Sequence, residues 1–178
     1  AGKTTLFDLI GGSTPADAGT IHLGEVALHR KSPSGRANAG LGRSFQDAAL
    51  FPALTVEQTI AVALERWITW GGPVSAALHL PMSFDSEAAV AARVNELIEL
   101  MGLDRYRHKR IRELSTGTRR VVDICCVIAH RPTVVLLDEP SSGIAQREVE
   151  ALAPVLLRMR DEMGASLLTL TVRLEAPL

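Results

Sequence analysis

Four apolar residues, Val134-Val135-Leu136-Leu137, run straight into two carboxylates, Asp138 and Glu139, and Pro140 closes the run. A segment apolar on both faces suits a strand buried within a parallel sheet. Proline cannot donate to a sheet ladder, so the strand is predicted to stop there. Its carboxylates then lie at the C-terminal edge of the sheet, where open α/β folds place their ligands. Two adjacent acids at that edge suit a cation and a base that handles water. By themselves they fit equally well a solvated, negatively charged turn.

The other end of the chain decides between the two. It begins Ala1-Gly2-Lys3-Thr4-Thr5, the closing half of a phosphate-binding loop of the form G-x-x-x-x-G-K-[ST]. In a complete loop, backbone N–H groups and the helix N-terminus face the phosphates. Lys3 then reaches the β- and γ-phosphates, and the Thr4 hydroxyl ligates magnesium. A bare G-K-T also arises by chance. Paired with an acid-ended strand, it points to a nucleoside triphosphate and Mg2+.

Between these ends the chain reads in blocks. Gly11-Gly12-Ser13-Thr14-Pro15 is predicted to end the first helix. Thr20–Leu23 and Val26–Leu28 read as short strands, and Gly24-Glu25 suits a tight hairpin with glycine first. Residues 30 to 40 are polar, basic and glycine-rich, which predicts a surface loop. Gly42-Arg43-Ser44-Phe45-Gln46 reads as a strand running into a loop. A glutamine there can bridge magnesium and an attacking water through its amide oxygen, or simply be solvated.

Leu50-Phe51-Pro52-Ala53-Leu54 looks like an apolar turn, and Thr55 suits an N-cap. From there the pattern is helical. One helix is predicted from Val56 to about Trp70, broken by Gly71-Gly72-Pro73. Another starts at Asp85 or Ser86 and stops at Gly102. Trp67 and Trp70 suit core packing better than a membrane partner. The basic run Arg105 to Arg112 reads as a solvated face. Leu114-Ser115-Thr116-Gly117-Thr118 opens a further helix, with Ser115 as N-cap and Gly117 permitting close approach of a ligand. An ordinary capped helix explains that pentad as well as an anion site does. After Pro140 comes a tight loop, then a helix to about Met163 kinked at Pro154, and a buried strand over Ser166–Val172.

The composition narrows the function. A formal net charge of −1 argues against a chain built to coat nucleic acid. No apolar run is long enough to span a bilayer. Cys125 and Cys126 are adjacent, unsuited to a disulfide or metal site, and read as small core residues. The five histidines show no metal-ligand spacing.

Taken in order, these segments resemble the nucleotide-binding domain of ABC transporters. Gly2-Lys3-Thr4-Thr5 matches the end of the Walker A loop, Phe45-Gln46 the Q-loop, Leu114 to Thr118 the signature and Val134 to Glu139 Walker B. Gly42 to Gln46, the Leu50 to Val56 segment and Ser142-Gly143-Ile144 are most similar to ATP-binding subunits of branched-chain amino-acid importers. The resemblance implies an α/β P-loop NTPase core with a mostly parallel sheet, a small antiparallel part and a helical subdomain. The core would comprise residues 1–54 and 114–178. The helical subdomain, residues 55–113, would contact membrane subunits. The resemblance also implies a partial chain that lacks the first strand and the front of Walker A.

It further implies roles. ATP would lie on Gly2, Lys3, Thr4 and Thr5, with magnesium held by Thr4, Gln46 and Asp138. Glu139 would act as general base, and Gln46 would sense the γ-phosphate. Ser115, Thr116 and Gly117 would cap ATP bound by a second nucleotide-binding domain in a head-to-tail dimer. Transmembrane permease subunits, or a fused membrane domain, would hold the pair at the cytoplasmic face of the membrane. Three positions depart from the family pattern. Thr118 replaces the signature glutamine, Ala145 an Asp or Asn, and Thr171-Val172-Arg173 stands where a switch histidine cluster belongs. A degenerate, non-catalytic subunit or fragment with a regulatory or scaffold role is therefore the alternative. A soluble ABC ATPase acting on DNA or ribosomes fits the near-neutral charge less well.

Overall fold

A computed structural model describes residues 2–44, 50–64, 81–138, 154, 156–158, 161 and 166–170. The expected features at Trp67, Trp70, Gly71–Pro73, 141–145 and Thr171–Arg173, and the kink at Pro154, lie outside the described residues or depend on neighbours that do. Two compact units divide the chain: residues 1–49 with 131–178, and residues 50–130.

The first unit is built on the apolar run that ends in acids. Val134–Asp138 forms a strand (β4) in a parallel sheet ordered β3-β4-β5, with β3 at Leu41–Ser44 and β5 at Ser166–Leu170. Leu41 pairs with Val134 and Ser44 with Leu137, while Asp138 pairs with Leu170. Val135, Leu136 and Leu137 are fully buried, as a strand flanked on both sides and covered on both faces requires. A helix, α1 (Lys3–Gly11), lies on one face of the sheet. Its Phe7 is 0% exposed and joins Leu28, Leu41 and Leu136 in one apolar cluster. Gly12, at φ +84°, ends the helix in the left-handed conformation, and its N–H returns to the Asp8 carbonyl. The hairpin forms as expected. β1 (His22–Leu23) pairs antiparallel with β2 (Val26–Ala27), and Gly24 takes the positive φ of +54° that the glycine-first turn needs.

Residues 30 to 40 differ from the expected surface loop. Pro33–Asn38 forms a short helix (α2) capped by Ser32, whose Oγ accepts the Gly35 N–H. Arg36 on this helix is buried, and its Nη1 donates to the carbonyls of Leu9 and Ile10. A guanidinium can be buried here because it meets the orphan carbonyls at the end of α1. No periodic apolar pattern marks that segment, so a long-range contact decides its structure.

The second unit is helical. α3 (Val56–Ala63), α4 (Pro81–Leu100) and α5 (Thr116–Ala129) pack their apolar faces together. Val56, Ile60, Leu97, Ile98, Ile124 and Ile128 are all fully buried there. Thr55 caps α3 as expected, in a reciprocal box with Gln58. α4 begins at Pro81, ahead of the expected Asp85 or Ser86. α5 belongs to this unit because its buried side chains pack on α3 and α4, so residues 114–130 fall with the helices although the sequence reading grouped them with the α/β core.

The basic run is also more than a solvated face. The Val56 and Glu57 N–H groups, orphans of α3's first turn, donate to the carbonyls of Lys109 and Arg107. The Arg107 side chain pairs with Glu57 at 3.1 Å and with Asn95 Oδ1 at 2.6 Å. It therefore ties α3 to α4, while Arg105, His108, Lys109, Arg110 and Arg112 remain exposed.

Candidate nucleotide site

Alternation along a strand puts Val134, Leu136 and Asp138 on one face of the sheet. That face is the one α1 covers, since Leu136 packs with Phe7. Asp138 is 8% exposed and sits at the C-terminal edge of β4. The direction of α1 follows from its two arginine partners. Arg36, ahead of β3, holds the carbonyls of Leu9 and Ile10. Arg43, within β3, holds the carbonyl of Phe7 at 3.2 Å and the Asp8 carboxylate at 2.7 Å. Moving along β3 thus means moving back along α1. The helix runs opposite to the strands, and its N-terminus points toward the edge that carries Asp138.

Among the described residues, nothing caps that N-terminus. Gly2 precedes the helix at φ +95°, no side chain caps it, and its first turn holds no acid. The Leu6 N–H reaches the Gly2 carbonyl at 3.0 Å, so the amides of Lys3, Thr4 and Thr5 have no intrahelical acceptor. The side chains of Thr4 and Thr5 are exposed. An uncapped positive helix end beside hydroxyls is chemistry for a phosphate. A Thr4 hydroxyl and an Asp138 carboxylate are hard oxygen donors of the kind magnesium takes.

The second unit carries the other predicted residues. Ser115 is the N-cap of α5, and its Oγ accepts the Thr118 N–H at 3.2 Å. The Ser115 and Thr118 hydroxyls lie 3.1 Å apart. Ser115 and Thr116 are exposed and Gly117 is buried. Gln46 and Glu139 lie outside the described residues. Sequence reasoning gave no role to Arg36 or Arg43. For Arg43 a signal was present: it shares the buried face of β3 with Leu41, and an arginine there requires partners.

Cys125 is buried in α5, with its Sγ 4.0 Å from the Leu97 carbonyl, and Cys126 is half-buried, 3.9 Å from that of Thr59. Burial pushes the Cys125 thiol well above its ordinary range. Burial, and then the charge of Asp123, push Cys126 up to about 12. Both pack within the helical unit, as their setting in the sequence suggested, and their raised pKa values disfavour the reactive thiolate.

Residues 1–142 match the family described as ABC transporter. The chain is 29% identical over 177 residues to the arabinose import ATP-binding protein AraG of Pseudomonas syringae pv. syringae, covering 98% of this chain and 32% of that protein. It is 27% identical over 168 residues to the high-affinity branched-chain amino acid transport ATP-binding protein LivG of Salmonella typhimurium, covering 94% and 66%. The chain thus spans about a third of the length of the arabinose import proteins it matches. Among solved structures, an ATP-binding cassette of an ABC transporter in its ADP conformation superposes with a TM-score of 0.76 at 22% identity, over 98% of this chain and 67% of that one. The shared fold is that of the ATP-binding cassette.

Proposed function

The chain belongs to the ABC transporter family, and from that premise we propose that it binds MgATP and hydrolyses it at a head-to-tail dimer interface to drive transport of a small solute. The observation that carries this reading is the open N-terminus of α1 directed at the sheet edge where Asp138 sits on the same face. Gly2, Lys3, Thr4 and Thr5 supply phosphate contacts. Thr4 and Asp138 hold magnesium, joined by Gln46. The ion, when bound, neutralises charge on the β- and γ-phosphate oxygens. Glu139 takes the proton of the attacking water or orients it. Ser115, Thr116 and Gly117 face ATP held by the partner domain. Neither half-site is complete alone, so hydrolysis needs closure of the pair.

The solute is read by other subunits. The relatives are named for arabinose, spermidine/putrescine and branched-chain amino acids, which supports import of a small polar solute as the class. No helix among the described residues is long and apolar enough to cross a membrane, which suits attachment to transmembrane permease subunits at the cytoplasmic face, or to a fused membrane domain. The Thr171-Val172-Arg173 segment, lacking the switch histidine, favours a second reading: a subunit that binds ATP but does not turn it over.

The test is ATP binding and hydrolysis by the full natural polypeptide, alongside Glu139→Gln. A positioned general base supplies ~10²–10⁴-fold in rate. The variant is expected to bind ATP normally and hydrolyse it slower by that factor. Wild-type binding without turnover selects the degenerate reading. Absence of ATP binding overturns both.

A further inference from the structure

We propose that Arg43 is a positioning residue, which sets the phosphate-binding end of α1 against the magnesium-binding end of β4; this rests on the MgATP reading above. Arg43 lies on β3, in register with Leu136 of β4. Its guanidinium leaves the sheet and grips α1 at two chemically different points. Nη1 donates to the Phe7 carbonyl at 3.2 Å, and Nη2 donates to the Asp8 carboxylate at 2.7 Å. The Arg43 side chain is only 10% exposed, while the Asp8 carboxylate it meets is 32% exposed. The backbone is shaped to admit it. A Cβ at Gly11 would stand 2.7 Å from Arg43 Nη1 and 3.2 Å from its Cδ.

This one side chain joins α1 to β3, and the backbone ladder joins β3 to β4. Asp8 and Phe7 fix the middle of the helix whose first turn carries Lys3, Thr4 and Thr5. β3 is hydrogen-bonded to the strand that ends in Asp138. Apolar contacts between Phe7, Leu41 and Leu136 hold the helix on the sheet, but such contacts are non-directional and permit sliding. A planar guanidinium forked onto a carbonyl and a carboxylate does not. Arg43 thus sets how far α1 advances along the sheet, and hence the spacing between Thr4 and Asp138. Arg36 makes an instructive contrast. It binds carbonyls of the same helix from α2, which is not part of the sheet.

The expected result separates binding from turnover. ATP without magnesium needs only α1, which moves as a body. Magnesium-dependent hydrolysis needs α1 and Asp138 in register, and small displacements there cost up to about 10²-fold. In the full natural polypeptide, Arg43→Lys and Asp8→Asn should each lower kcat by about tenfold or more. ATP binding in EDTA should stay within about twofold, since its phosphate contacts lie on α1 itself. The double variant should fall little below either single one, because the two groups act as one unit. Arg36→Lys should lower Tm while leaving the ratio of turnover to EDTA binding unchanged. The proposal is overturned by wild-type kcat in Arg43→Lys, by additive losses in the double variant, or by an equal fall in Arg36→Lys. If the wild-type protein itself fails to bind ATP, the MgATP reading fails, which is a different result.

Discussion

The two helices that would meet a nucleotide begin in opposite ways. α1 opens from a left-handed glycine, and no described side chain hydrogen-bonds to cap its first turn. α5 opens from Ser115, whose hydroxyl already accepts an amide of its own helix. Helix ends leave the same donors unsatisfied in both cases. In α5 the chain satisfies one of them internally, through Ser115, before any ligand arrives. In α1 no described side chain takes them, while Arg43 holds the middle of the helix and Arg36 its far end. The difference assigns the helices different work. In the proposed reading α1 would be the primary phosphate binder, and α5 would add a contact through a hydroxyl that keeps its cap.

The largest test of that contrast is Lys3→Ala. A charge-assisted contact to phosphate contributes ~1.5–3 kcal/mol, so ATP affinity should drop by about 10- to 150-fold. Titration of a fluorescent ATP analogue measures it. If Ser115→Ala weakens ATP binding to the isolated domain as much as Lys3→Ala does, the contrast collapses.

A smaller effect comes from separating the two roles of Ser115. Ser115→Ala removes the cap and should cost about 1 kcal/mol of stability, read as a lower Tm. Ser115→Asp keeps an acceptor for the Thr118 N–H, so Tm should be retained. A carboxylate facing the γ-phosphate repels it, so hydrolysis by the dimer should fall. Retained hydrolysis in Ser115→Asp would mean that this helix end never meets the nucleotide.

What the residues disclosed in advance follows from the range of the interactions involved. β4 was legible because a doubly buried strand writes a continuous apolar run, and Thr55 and Ser115 because a cap is settled within four residues. Residues 30 to 40 were misjudged because α2 exists around one arginine whose partners, Leu9 and Ile10, lie more than twenty residues away. The basic run is exposed as expected, but its backbone carbonyls also serve amides at Val56 and Glu57, which its composition could not show. α5 shows that a motif's place in the chain does not fix the unit it packs into. The placement of Asp138 on the α1 face needed the packing of Phe7 on Leu136, a contact that no local pattern contains.

A further test, confined to alkaline pH, concerns the stability of the two units. Both cysteines lie in α5, within the helical unit, and the sheet unit has none. Cys126 is pushed from 9.0 up to about 12, and Cys125 is also raised, chiefly by burial in each case. In the unfolded chain these thiols lose their protons near pH 9.0, while the folded chain still holds them. The folded state then binds more protons, and stability falls with rising pH. Their contribution is fully present below about pH 9 and is lost as pH rises toward about 12. Thermal melts of wild type and of Cys125→Ala/Cys126→Ala, each compared with itself at pH 8, measure it. The double variant should lose less Tm between pH 9 and 11. Ellman's reagent should label neither thiol readily in the native protein at pH 8, because the thiolate is the reactive form. Rapid labelling there, or identical alkaline slopes, would show that α5 is less tightly packed than its contacts with Leu97 and Thr59 require.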